Sequence, residues 1–174
     1  GHEADGPLCR QFSRDAPGRL CMVETPEGPN VGLIAHLALG AGLDDDGFLL
    51  APLRPVRDGE VAAEVVWLHP EAELAGNVCD PLPPGTRLAD LGDEIVCRRN
   101  GLLGRCRPDA VDYCEAGHGS NVGLSAGLIP ASAHSDSTRL LMGANMQRQA
   151  VPLLSPQWPL VSTGLTDDWP QPPT

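Results

Sequence analysis

One stretch of this 174-residue chain, from Ser135 to Pro152, places its apolar and polar residues with a helical period. At about 100° per residue, Leu140, Ala144 and Val151 fall on one side, whereas Arg139, Met142, Asn145, Met146 and Gln149 share a sector of about 120° on the other. Ser135 or Asp136 supplies an N-cap acceptor and Pro152 cannot continue the hydrogen-bond ladder, so the pattern predicts a helix of roughly four turns near residues 136–150. One side packs. The other is either a solvated edge or, given two methionines beside a guanidinium and two carboxamides, a contact surface.

Elsewhere the period shortens towards two. Phe48–Pro52 and Glu60–Leu68 read as strands around the turn Arg57-Asp-Gly59, with Val61, Val65 and Trp67 sharing one face. Asp93–Arg98 and Leu102–Cys106 read as a second pair around Arg99-Asn-Gly101, where Asn-Gly suits a tight hairpin turn. Val31–Leu39 is apolar enough for a short buried helix ended by Gly40-Ala-Gly42. Pro70–Pro84, rich in Pro, Gly and acid, reads as a loop or subdomain seam. The fold class this implies is mainly β with short helices (α+β). Residues 1–20 would form an irregular segment, 21–130 a β-rich module, 131–165 a helix-containing segment and 166–174 a disordered tail, the Pro/Trp-rich stretch through Trp158 and Trp169 fraying after about residue 165. Gly1-His2 reads as the scar of a cleaved tag.

Composition sharpens this picture. Hydrophobic residues make up 41% but aromatics only 3%, so Leu, Val, Ala and Ile must do most of the packing. Twenty Gly and eighteen Pro favour short strands and many turns. The net charge is −11 and all twelve basic residues are arginines, which disfavours an autonomous nucleic-acid binder, since that needs a basic patch to displace counterions from phosphate. Without lysine there is neither a P-loop nor a Schiff-base nucleophile.

The six cysteines, Cys9, Cys21, Cys79, Cys97, Cys106 and Cys114, form no C-x-x-C pair, so no zinc ribbon is indicated and reduced, partly buried thiols are expected. Asp44-Asp-Asp46 reads as a solvated turn before Gly47 and not as a cation site; no metal ligand set is expected. The glycines of Gly117–Gly127 lack the strand–loop–helix frame of a phosphate cradle. No apolar run approaches the roughly 18–20 residues that span a bilayer, and no signal peptide is visible, so a soluble cytoplasmic protein without membrane contact is expected. His134 and the thiols leave open an unrelated Cys/His enzyme; the simpler role for His134 is to cap the helix entry.

The wording of two stretches carries a family resemblance. Arg139-Leu-Leu-Met-Gly-Ala-Asn-Met-Gln-Arg-Gln-Ala-Val-Pro152 resembles the active-centre helix of the bacterial RNA polymerase β subunit. Gly18-Arg-Leu-Cys-Met-Val-Glu-Thr-Pro-Glu-Gly-Pro-Asn-Val-Gly-Leu-Ile34 resembles the segment just after that subunit's fork loop. Between them Asp46-Gly-Phe-Leu49, Asp58-Gly-Glu-Val61, Cys97-Arg-Arg-Asn-Gly101, Val111-Asp-Tyr113 and Leu128-Ile-Pro130 recur in the family's order, so the resemblance covers residues 6–165. Departures occur at the N-terminal edge: Ala16-Pro17 stands where the family has a longer His-Pro-Thr-His-Tyr-like run, and Met22 stands where Pro is usual. These speak for a diverged paralogue over a piece cut from a working subunit.

The resemblance implies roles. Arg139 would approach the triphosphate of an incoming nucleotide, and Asn145, Arg148 and Gln149 would lie beside the RNA 3′ end or the hybrid. Pro26, Asn30 and Ile34 match positions that line the pocket for rifamycin-type inhibitors, most of which comes from sequence upstream of residue 6. The catalytic Mg²⁺ of such polymerases is carried by the other large subunit, so this chain alone, with no cofactor of its own, is not expected to polymerise RNA. Its expected partners are RNA polymerase subunits, with nucleic acid contacted only inside an assembled polymerase. A regulator, a decoy and a split-subunit piece are the forms that role would take. The alternative is sequestration of a rifamycin-type antibiotic.

Overall fold

The structure, a computed structural model, describes residues 10–117, 119–155, 157 and 160–164. Gly1-His2, Cys9, Trp158, Trp169 and the expected tail 166–174 lie outside them.

The described residues form a mixed sheet of eight short strands with three short α-helices. Strands β1 (Gly42–Leu43) and β2 (Leu49–Arg57) come first, followed by β3 (Glu60–Val61), β4 (Val66–Leu68) and helix α1 (Pro70–Ala75). Strands β5 (Asn77–Cys79), β6 (Ile95–Arg99), β7 (Leu102–Cys106) and β8 (Tyr113–Glu115) complete the sheet, and α2 (Leu124–Gly127) and α3 (Ser137–Gln147) end the fold. The strand order is β1-β2-β8-β5-β6-β7, with β3 and β4 also pairing with β2. Among the described residues only β5 and β8 run parallel. Among the same residues β7 is an edge strand, and its Leu102 and Leu103 are 61% and 79% exposed.

Both expected hairpins form. Val56 faces Val61 and Arg57 faces Glu60 across the first, whose turn residues Asp58 and Gly59 both have positive φ. Asn100 and Gly101 do the same between β6 and β7, the left-handed pair that matches the twist of the flanking strands. The second arm of the first hairpin is interrupted, however. Pro55 offers only a carbonyl, which accepts from the Ala62 N–H; residues 62–65 then leave the sheet, and Val66–Leu68 rejoins β2 further along. Val61, Val65 and Trp67 therefore do not form one alternating face: Val61 is buried, while the indole N–H of Trp67 donates to the Gly40 carbonyl at 3.0 Å.

Two further expectations are corrected. Val31–Leu39 is not a buried helix. Gly32 sits at φ +75 with the Arg10 backbone against it, its N–H donates to Thr25 Oγ1, and Val31, Leu33, Ile34 and Leu37 are exposed. Instead of a ladder, its far end pairs with residues 19–21: the Cys21 N–H donates to the His36 carbonyl and the Ala38 N–H to the Arg19 carbonyl. Pro70–Pro84 is not one loop. Pro70 begins α1, where a missing N–H costs nothing, the His69 ring accepts from the Glu71 N–H, and Gly76 ends the helix ahead of the buried strand β5.

Two small cores result. Val61, Cys79, Leu88, Val111 and Cys114 pack together at the sheet, and Cys21, Ala126 and Ala144 pack where α2 and α3 meet the segment after residue 18. A buried charge network lies under the sheet: Glu73 accepts from Arg19 and from Arg98, which also reaches Glu115 at 2.7 Å. Burial opposes the charge of Arg98, but its bonds to Glu115 and Glu73 outweigh that and raise its pKa.

Candidate functional site

Helix α3 begins where the sequence places it. Asp136 is the N-cap and its carboxylate accepts from the Thr138 N–H at 3.1 Å. The helix covers Ser137–Gln147, shorter than residues 136–150. Leu140 and Ala144 are its buried residues, but Val151 lies beyond its end and is 83% exposed. His134 does not cap this entry; it closes a 3-10 turn, Ser132–His134, ahead of the Asp136 cap.

The two long motifs, more than a hundred residues apart in sequence, meet in space. Ala144 packs with Cys21 in one cluster, and the Asn145 amide reaches the Thr25 carbonyl at 3.5 Å. The approach is close because of two glycines. A Cβ on Gly123 would stand 2.9 Å from the Leu37 carbonyl and 3.2 Å from Glu24 Oε2, and one on Gly143 would stand 2.8 Å from Ile129 Cδ1. Asn121 knits the same region, its side chain accepting from the Gly18 N–H at 3.0 Å and its backbone carbonyl from the Met22 N–H at 3.0 Å.

The sequence-selected polar residues divide into two sets. Arg139 lies on the exposed face with Met142 and Met146, and Gln149 is exposed just past the helix. Arg148, the C-cap, is turned back onto the fold. Its Nε lies 3.4 Å from Glu24 Oε1, one terminal nitrogen lies 3.0 Å from His36 Nε2, and the other donates to Asn145 Oδ1. Glu24 is almost wholly buried and His36 Nδ1 faces it at 3.7 Å. In the sequence Glu24 is legible only as part of a turn and His36 not at all; a lone histidine in an apolar run carries no signal of what lies over it.

Of the inhibitor-pocket positions, Ile34 lines a cavity of about 450 Å³ together with Arg10, Phe12, Leu20, Thr25 and Val31. Pro26 and Asn30 are not part of its wall. A wider open cleft of about 1220 Å³, with Val56, Asp58, Glu94, Arg107 and Asp112 among its lining residues, contains none of the sequence-selected groups.

The five described cysteines are free thiols. A hydrogen bond with Cys114 and burial push Cys79 up, whereas the bond with Cys79 lowers Cys114, which also accepts from the Leu82 N–H at 3.1 Å. Cys106 is pushed up to about 12 by burial and by Cys97. Among the described residues, no group of three or more His, Cys, Asp or Glu side chains is arranged to hold a metal ion, and no helix is long and apolar enough to cross a membrane.

Comparison with known proteins agrees with the wording of the motifs. The family model for RNA polymerase Rpb2, domain 3, matches residues 4–43. The chain is 44% identical over 152 residues to the DNA-directed RNA polymerase subunit beta of Rhodopirellula baltica, covering 85% of this chain and 12% of that relative. It is 43% identical over 152 residues to the same subunit of Salinibacter ruber, with the same coverage. The chain thus spans about 12% of the length of the curated relatives it matches. Over 85% of its own length, this chain is similar to one segment of the bacterial DNA-directed RNA polymerase β subunit.

Proposed function

We propose that the chain serves transcription in the bacterial cytoplasm by binding RNA polymerase subunits, as a regulator, a decoy or a piece of a split subunit, and that it has no polymerase activity alone. The observation that carries this reading is the meeting of its two family-like motifs at α3, which leaves Arg139, Met142 and Met146 outward on a helix whose inner side is packed. Two exposed thioethers beside a guanidinium form an adaptable contact surface. Within an assembled polymerase, Arg139 would meet nucleotide phosphate, and Asn145, Arg148 and Gln149 would meet the RNA 3′ end, reading backbone and ribose and not base sequence. Mg²⁺ would come from another subunit.

The test is a pull-down of the purified chain against polymerase core and its separate large subunits, with its own mass read by light scattering. A monomer that captures a large subunit supports the reading. A stable monomer or closed dimer that ignores every polymerase component overturns it.

A second reading rests on the cavity beside Ile34. As a binder of rifamycin-type antibiotics, the chain would sequester the drug. Ligand at a hundred times its Kd stabilises by about 2.7 kcal/mol, so a thermal scan that does not move with such ligands rejects this reading.

A further inference from the structure

His36 is packed between two opposite charges, and its two ring nitrogens do different things. Nε2 lies 3.0 Å from a terminal N–H group of Arg148. Guanidinium nitrogens only donate, so Nε2 must carry a lone pair and the ring proton must sit on Nδ1. That nitrogen faces Glu24 Oε1 at 3.7 Å, and the same oxygen takes Arg148 Nε at 3.4 Å. The charged groups facing His36 are Glu24 from the corner after residue 23 and Arg148 from the end of α3; the neighbouring Cys21 sulfur accepts from the Glu24 N–H. His36 is 30% exposed, open enough to exchange a proton with solvent.

We propose that His36 is a proton-operated positioning residue that latches Arg148 against Glu24 while neutral and releases it when protonated. A proton added at Nε2 sets N–H against N–H and cation against cation, so the contact with Arg148 cannot persist. The imidazolium instead faces the Glu24 carboxylate, and Glu24 exchanges one cationic partner for another. The guanidinium at the end of α3 is thereby withheld from outside anions when His36 is neutral and presented on acidification. What Arg148 would then contact rests on the polymerase reading; the latch does not, and it is measurable on the chain alone.

The experiment is ¹⁵N NMR of the full chain across pH. At neutral pH His36 should show the Nδ1–H tautomer, and the Arg148 Nε–H signal should shift and exchange faster with water as the pH falls. In His36→Ala, which removes the titrating ring and leaves Arg148 Nε to Glu24 alone, that signal should no longer follow the wild-type pH curve. In His36→Gln, whose carboxamide oxygen still accepts from Arg148 but does not titrate, it should stay at the latched position throughout. An Nε2–H tautomer at neutral pH overturns the proposal, as does an Arg148 response in His36→Gln that follows the same pH curve as the wild type. Failure to capture a polymerase subunit would leave both readouts standing.

Discussion

Arg19 donates to Glu73 in the interior, with only 3% and 2% of the two side chains exposed. The same guanidinium reaches the Leu49, Asp15 and Leu68 carbonyls at 2.8–2.9 Å, so residues near the chain's start are pinned to β2, β4 and α1. Arg98 takes the other oxygen of Glu73 at 2.7 Å. Glu73→Ala would leave the buried Arg19 and the partly buried Arg98 without that counter-ion. Breaking a buried pair from one side costs about 3–5 kcal/mol, and urea unfolding should show that loss as a lower midpoint with an unchanged slope. A loss below 1 kcal/mol, about the scale of an exposed pair, would mean that water reaches the network.

Gly123 is a matter of space. Its added Cβ would stand 2.9 Å from the Leu37 carbonyl, 3.2 Å from Glu24 Oε2 and 3.3 Å from Cys21 Cβ. Two of the three neighbours are backbone or near-backbone atoms that cannot swing aside. Gly123→Ala should therefore destabilise by about 1–3 kcal/mol, the usual cost of overpacking. The α3 docking site should loosen with it, read as faster amide exchange at Asn145.

Cys106 sets an alkaline signature. Its thiol, with an ordinary value of 9.0, is pushed up to about 12 by burial and by Cys97. The folded form therefore holds its proton where the unfolded chain has lost it. Its contribution to stability is complete below pH 9 and should fall as pH rises towards about 12. Urea stability of wild type minus that of Cys106→Ser should be flat below pH 9 and decline above it; a difference that stays flat to pH 12 would reject the assignment.

On the proposed contact surface, Arg139→Ala combined with Met146→Glu should weaken capture of a large polymerase subunit at least tenfold. Met146 is 60% exposed and Arg139 lies on the outer face, so thermal stability should move by no more than about 0.5 kcal/mol, as for surface changes generally. Full capture by this variant would move the interface off α3.

How far the residues alone reveal this molecule depends on what each signal measures. Local chemistry was readable. Asp-Gly and Asn-Gly demanded left-handed turns and made both hairpins, and Asp136 demanded a helix start. Long-range competition was not readable. Val31–Leu39 has a helix's apolar content, but Gly32 at positive φ and pairing with residues 19–21 took its backbone elsewhere. Pro70 looked like a breaker and was a first-turn residue. At the candidate site the helix face was legible, since periodicity reports it. The inward turn of Arg148 was not, because it depends on Glu24 and His36, which lie 124 and 112 residues away and are joined to it only by folding.

The open rim of the sheet has a practical consequence. Among the described residues no strand pairs with the outer side of β7, where Leu102 and Leu103 lie opposite Arg99 and Arg98 of β6 and Gly104 adds no bulk. A second molecule in solution can extend such a ribbon strand to strand. Protein concentration, more than heat, is therefore the condition under which purified samples should first thicken into filaments or precipitate, and a single lysine at position 103 is the change that should keep them clear.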